Sequence, residues 1–364
     1  MKRDTIPQGA DATVSALVRD DILALKAYHV ASASGMVKLD AMENPYGLPD
    51  DVRQAVGELA ADLPLNRYPD PNAPQLKGRL REVFDLPLEM GLLLGNGSDE
   101  IITMVTQTLA RPGAVMLAPE PSFAMYRMNA IYSRMEYVGV PLAPDFSLDI
   151  AAFLAAVRMH KPALIFLAYP NNPTGNAFTE ADVLRVLDEA TGFVVLDEAY
   201  HAFAGKSFMD RIARYPNLMV MRTVSKLGLA GVRLGYAVAR PEWIEQLDKL
   251  RPPYNVNVLT QFVAEKVLGR VDVLTAQAQS IMAERAKLFT ALRTFARVEA
   301  FPSEANFILI RVPDAVKTYA AMQSKGVLIR NLHGAHPLLD QCLRLTVGTP
   351  EENRSMLNAL EEAL

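Results

Sequence analysis

The sequence predicts an α/β fold: a large domain with a mostly parallel sheet flanked by helices, plus a smaller α+β domain. Two observations carry this. Between residues 91 and 239, short apolar runs alternate with segments of helical periodicity, the pattern of βα units whose strands are buried on both faces. After Trp243 the alternation stops, and long helical stretches with a few separated strands take over. A chain of 364 residues suggests about two domains. They are placed at 45–250 and 251–364, with an N-terminal arm at 1–44 that packs with the small domain or a partner.

The elements follow in order. The arm carries one amphipathic helix over 11–26, with Val14, Leu17, Val18, Ile22 and Leu25 at helical spacing. Turn chemistry follows at Met42-Glu43-Asn44-Pro45-Tyr46-Gly47. A short helix is expected at 49–59 and another at 74–83, separated by a proline-rich polar stretch holding Arg67-Tyr68-Pro69-Asp70. Strands are expected at 92–94, 114–117, 135–138, 163–168, 193–196, 218–221 and 234–239. Helices fall between them, the one over 179–190 capped by Thr179. Residues 260–296 read as one helical stretch. Then come strands at 306–311, 327–330 and 343–347, a helix at 315–324, and a last helix from Pro350.

Composition excludes several classes. The net charge is −4 with no long basic run, so nucleic acid is not an expected partner. The single cysteine, Cys342, excludes an internal disulfide and any multi-cysteine metal site, and fits a reducing cytosol. His333 and His336 lack the carboxylate pairing that would suggest a metal. Charges at Lys2, Arg3, Asp4 and Asp11 break any apolar leader, and no apolar run reaches the roughly 18 residues that span a bilayer. A cytoplasmic protein without membrane contact is expected.

The chemistry concentrates where apolar runs end. In a parallel sheet the site lies at the carboxyl ends of the strands. Gly97-Ser98-Asp99-Glu100 opens a helix whose free N–H groups can hold a phosphate. Asn172 sits in a proline-bounded turn, and Asp197 follows a buried strand with Tyr200 three residues on. Thr223, Ser225 and Lys226 follow the next strand, and Arg233 lies seven residues after the lysine. Hydroxyls and a guanidinium suit a phosphate, and a lysine beside them suits a carbonyl cofactor. An acid, an amide, a phenol, an amine and a phosphate cradle together match the needs of pyridoxal 5'-phosphate. Asp197 after Phe193-Val194-Val195-Leu196 also fits the acid of a Walker-type ATPase. Its partner loop is missing, because Gly205-Lys206-Ser207 follows the acid and Tyr200 stands where the first glycine belongs.

Asn171-Asn172-Pro173-Thr174-Gly175, Asp197-Glu198-Ala199-Tyr200 and Ser225-Lys226 with Arg233 resemble the fold-type-I aminotransferases in order and spacing. The lysine-to-arginine interval is one residue shorter than in some members. Within that family the likeness is to the histidinol-phosphate branch, through Leu39-Asp40-Ala41-Met42-Glu43-Asn44-Pro45, Arg67-Tyr68-Pro69, Gly97-Ser98-Asp99-Glu100, Pro121-Ser122-Phe123-Ala124-Met125-Tyr126, Ser303-Glu304-Ala305-Asn306-Phe307 and Leu343-Arg344-Leu345-Thr346-Val347-Gly348-Thr349. The resemblance implies pyridoxal 5'-phosphate bound covalently by Lys226, with Asp197 on the ring nitrogen and Asn172 and Tyr200 on the ring oxygen. It puts Ser98, Asp99, Thr223, Ser225 and Arg233 around the phosphate and Phe123 on the ring face. It implies a homodimer in which Tyr68 reaches the neighbour's site. It assigns Arg344 to the substrate's acidic end, with Tyr28, Asn306 and Arg330 as further substrate contacts. The implied substrates are histidinol phosphate and glutamate or 2-oxoglutarate. An aromatic or broad-range aminotransferase and a threonine-phosphate decarboxylase remain open within the same fold. Phe123 also reads as core, Tyr28 and Tyr68 equally as plain surface or interface tyrosines, and Arg330 also as a strand-end residue at the surface.

Overall fold

In the computed structural model, which describes residues 10–27 and 31–364, the apolar runs form a seven-stranded sheet. In chain order its strands are β1 (Gly91–Asn96), β2 (Val115–Glu120), β3 (Glu136–Pro141), β4 (Leu164–Ala168), β5 (Phe193–Asp197), β6 (Leu218–Thr223) and β7 (Leu234–Ala239). They lie side by side as β1-β7-β6-β5-β4-β2-β3. β2 to β6 are mutually parallel, and β7 runs antiparallel between β6 and β1. Every residue of β4, β5, β6 and β7 is buried. A strand covered on both faces has no polar side, which explains runs such as Leu164-Ile165-Phe166-Leu167. The reversal at β7 has a length cause. Residues 224–233 alone join β6 to β7, too few for the crossover of a dozen or more residues that a parallel neighbour requires.

This topology places the ends of β1, β2, β4, β5 and β6 on one edge of the sheet. A second sheet has four antiparallel strands in the order Arg330–Asn331, Cys342–Thr346, Phe307–Arg311, Glu299–Ala300. Val37–Lys38 pairs in parallel with Val327–Leu328, so the later part of the 1–44 segment is anchored to this second part.

Several elements differ from the sequence expectation. The single helix expected over 11–26 is two, Ala10–Leu17 and Asp20–Leu23. Arg19 adopts φ −59°, ψ 140° between them, and Asp20 and Asp21 supply the acidic first turn that favours a new start. The stretch expected as one helix over 260–296 is Val258–Leu268 followed by Val271–Leu292. The break falls at Gly269 and at Arg270, which leaves helical space at φ −118°, ψ 43°. Residues 327–330 form two short strands serving different sheets. The helix Pro241–Asp248, with proline in its first turn, has no counterpart in the expectation.

A buried ion pair fixes the neighbouring ends of β5 and β6. Arg222 Nη2 lies 2.8 Å from Glu198 Oε2, and the two side chains are 7% and 0% exposed. Ser207 Oγ donates to Glu198 Oε2 at 2.9 Å, accepts from Arg222 Nη2 at 2.7 Å, and Phe208 N donates to Glu198 Oε1 at 2.7 Å. The pair sits between Asp197 and Thr223 in sequence, so it sets how far apart those two residues stand. Removing one partner strands the other charge, which typically costs about 3–5 kcal/mol. Glu198→Ala is therefore expected to lower unfolding free energy in urea by about 3 kcal/mol or more. A loss under about 1 kcal/mol, the scale of an exposed pair, would contradict the buried geometry.

Candidate active site

The strand-end edge holds a cavity. Ser98, Asp99, Phe123, Asn172, Asp197, Tyr200, Thr223, Ser225, Lys226 and Arg233 all line it. Each arrives by the same route: an apolar strand ends, and the first polar residues beyond it meet over the sheet.

Asp197 is the last residue of β5 and is 5% exposed. Burial pushes its carboxyl up to about 6, while donors from Tyr126 and Ala199 pull the other way. Tyr126 OH donates to Oδ2 at 2.7 Å and Ala199 N to Oδ1 at 3.1 Å. The sequence reading assigned Tyr126 no role. Its fixed distance from Phe123 was visible, but nothing local says that a tyrosine in a helix will face an acid from another strand.

Lys226 follows β6 in a widened helical turn, Ser225–Leu229. Its Nζ donates to Ala41 O at 3.0 Å and lies 6.0 Å from the centre of the Tyr200 ring. Burial lowers its pKa to about 8, helped by the positive charge of Arg344. The amine is thus partly neutral near physiological pH.

The phosphate-sized corner is built from backbone and hydroxyls. The helix Ser98–Leu109 has no side-chain cap on its N-terminus, and the first N–H groups of a helix have no intrahelical partner. Gly97 has φ +78°, and a Cβ there would stand 2.6 Å from Arg233 Nη2. A Cβ on Gly235 would meet Ser98 N at 2.4 Å. Both glycines keep this corner open. Thr223 Oγ1 donates to Ser225 Oγ at 2.9 Å or to Leu234 O at 3.0 Å. Arg233 pairs with Asp99 at 3.4 Å, both about half exposed. The Asp99 carboxylate would repel a phosphate, so its contributions are its backbone N–H and its hold on Arg233.

Arg344 is 7% exposed and donates to Asn172 Oδ1 at 2.6 Å and to Asp40 O at 2.9 Å. A guanidinium only donates, so it fixes the amide flip and leaves Asn172 Nδ2 as the donor toward the cavity. The other expected substrate residues are placed differently. Tyr68 is 80% exposed and stacks on Tyr254 with ring centres 4.4 Å apart, away from this chain's cavity. Asn306 is fully buried and donates to Met42 O at 2.9 Å, an anchor for the chain at Met42 rather than part of the cavity wall. Arg330 stands opposite Arg344 in the second sheet. Tyr28 lies outside the described residues. His333, expected to lack a carboxylate partner, lies 2.7 Å from Asp340 Oδ1.

The sequence matches the family described as "Aminotransferase class I and II" over residues 34–360. The chain belongs to that family. It is 54% identical to "Histidinol-phosphate aminotransferase" of Chromobacterium violaceum, over 96% of this chain and 98% of the relative. It is 53% identical to "Histidinol-phosphate aminotransferase 1" of Ralstonia nicotianae, over 97% of this chain and 96% of the relative. Its fold matches the crystal structure of histidinol-phosphate aminotransferase from Sinorhizobium meliloti in complex with pyridoxal-5'-phosphate, with a TM-score of 0.84 at 24% identity, covering 95% and 97% of the two chains. The aminotransferase family uses pyridoxal 5'-phosphate, and the donor set here fits that group. There is one buried acid for a ring nitrogen, neutral donors from Asn172 and Tyr200 for a ring oxygen, a lysine of lowered pKa, and a glycine-lined corner with a single cation. The fold-type-I architecture expected from sequence is the one observed.

The lowered pKa of Lys226 has a direct readout. Only the neutral amine is nucleophilic, and a depressed pKa makes it neutral at lower pH. In the cofactor-free protein, labelling of Lys226 by an amine-reactive reagent should reach half its plateau rate near pH 8, against the ordinary lysine value of 10.5. Peptide mass spectrometry across a pH series checks this. A Lys226 profile that follows the exposed lysines would contradict the buried placement.

Proposed function

We propose that this aminotransferase moves the amino group between L-histidinol phosphate and 2-oxoglutarate, giving imidazole-acetol phosphate and L-glutamate, as a step of histidine biosynthesis. The observation that carries the reading is the meeting of Asp197, Asn172, Tyr200 and Lys226 beside a phosphate corner, in a chain 54% identical to a relative of that name. When bound, pyridoxal 5'-phosphate supplies an aldehyde that takes up the amino group and a ring that draws electrons from the substrate α-carbon. Lys226 would hold that aldehyde, and Asp197 the ring nitrogen. Asn172 Nδ2 and Tyr200 OH would hold the ring oxygen, with Phe123 against the ring face. Ser98, Thr223, Ser225 and Arg233 would hold the phosphate, with the Asp99 N–H beside them. Lys226 Nζ, once free and neutral, would take the proton from the substrate α-carbon and pass it to the carbon that receives the amino group. A pKa near the working pH is what such a shuttle needs.

Substrate recognition rests on Arg344 and Arg330. They face each other across antiparallel strands, so their side chains leave the same face of the sheet. Histidinol phosphate and glutamate both bring an oxyanion, and a planar guanidinium grips either. Tyr68 is 80% exposed and stacked on Tyr254, which supports a homodimer in which Tyr68 enters the neighbour's site. No helix among the described residues is long and apolar enough to cross a membrane. The cytoplasm is the compartment proposed.

Steady-state kinetics on histidinol phosphate, phenylalanine and threonine phosphate test the substrate. Histidinol phosphate should lead by at least about tenfold in kcat/KM, or about 1.4 kcal/mol. A preference for phenylalanine would move the protein to the aromatic enzymes, and carbon dioxide release from threonine phosphate to the decarboxylases. Asp197→Asn should lower kcat by about a hundredfold or more, the scale of removing one charged stabilising group. Turnover near that of the unaltered protein would contradict the role of Asp197.

A further inference from the structure

We propose that Tyr126 is the positioning residue of Asp197, its hydroxyl fixing one carboxylate oxygen so that the group meets the cavity as an oriented anion. The proposal rests on the reading that Asp197 faces the cofactor ring, although the first arm of its test does not.

Tyr126 lies in the helix Met125–Tyr132 and is fully buried. Its ring stacks on Phe166 of β4 at 4.4 Å and 7°, and meets Phe123 edge-on at 5.7 Å and 86°. A phenylalanine would fill that stack equally well. Burying a phenol instead is unfavourable unless its hydroxyl is bonded, and the bond it makes is to Asp197 Oδ2 at 2.7 Å. Stacking on a strand of the sheet removes the freedom of the ring, so the direction of the hydroxyl is set by the fold.

Asp197 needs that donor. Around it are Tyr126 from the helix, Asp99 from the N-terminus of the neighbouring helix, the charge of Glu198 next in the chain but turned away, and Tyr200 and Lys226 across the cavity. Burial, Asp99 and Glu198 all favour the protonated carboxyl, while the Tyr126 hydroxyl and Ala199 N favour the anion. Tyr126 itself remains a donor, because burial and the Asp197 charge raise its own pKa well above the ordinary value. Removing the hydroxyl would leave one backbone N–H against burial and two acids.

Tyr126→Phe keeps the ring and deletes only the donor. In the cofactor-free protein, carbon-13 NMR of labelled aspartate, with Asp197→Asn assigning the signal, should show the Asp197 midpoint rise by about one pH unit, a tenfold change in proton affinity. Fluorotyrosine at position 126, a stronger donor of nearly the same shape, should move it the other way. In the second arm, Tyr126→Phe should weaken pyridoxal phosphate binding by about tenfold, but by less than about twofold in an Asp197→Asn background. An unchanged Asp197 midpoint, or equal weakening in both backgrounds, overturns the proposal, because a merely structural tyrosine would act without regard to Asp197. Should Tyr126→Phe fail to fold, the fluorotyrosine protein decides. Should the unaltered protein take up no pyridoxal phosphate, the proposed function falls while the NMR arm still decides Tyr126.

Discussion

A carboxylate buried at the end of an apolar strand is the constraint the rest of the site answers to. Asp197 closes β5, which is buried throughout, and an unbonded anion there would be lost to protonation. The fold supplies donors from two directions, Tyr126 from a helix and Ala199 N from the chain's own turn. Directly behind, Glu198 faces away from the cavity to Arg222, so two adjacent acids serve opposite sides of the sheet edge. One alternation of the strand direction thus separates a residue that chemistry uses from one that the fold uses.

Two cations and a buried amide are held by the backbone of the N-terminal segment. Three successive carbonyls, those of Asp40, Ala41 and Met42, accept from Arg344, Lys226 and Asn306. Asn44 Nδ2 adds a bond to Leu227 O, in the turn that carries the lysine. This segment follows Val37–Lys38, which pairs with the second part of the chain. The lysine from the large sheet and the arginine from the small one therefore meet over a shared strip of backbone. Carbonyl oxygens attract the charged amine without an opposing formal charge, so burial still lowers the pKa of Lys226.

The sequence made the strand-end residues legible because a single rule governs them. Polar residues that follow apolar runs in a parallel sheet must gather at one edge, and Asn172, Asp197, Thr223 and Lys226 all do. What it hid depends on contacts between distant segments. The hold of Arg344 on Asn172 spans 172 residues of chain, and no local pattern encodes that distance. Asn306 looked like a contact because of its motif, but it lies fully buried beside Met42. The helix break at Gly269 escaped notice because the apolar spacing continues through it, and one glycine weakens a helix by only about 1 kcal/mol. The resemblance puts Asp99 at the phosphate, and only geometry separates its backbone N–H from its carboxylate, which pairs with Arg233.

The central claim is that one lysine, Lys226, occupies the place where an aldehyde cofactor is held. The most direct measurement is borohydride reduction of the protein saturated with pyridoxal phosphate, followed by peptide mapping. The account predicts a yellow protein whose colour is lost on reduction, with the stable adduct confined to the peptide containing Lys226 and absent from Lys226→Ala. An adduct on another lysine, or a protein that takes up no cofactor, would contradict it.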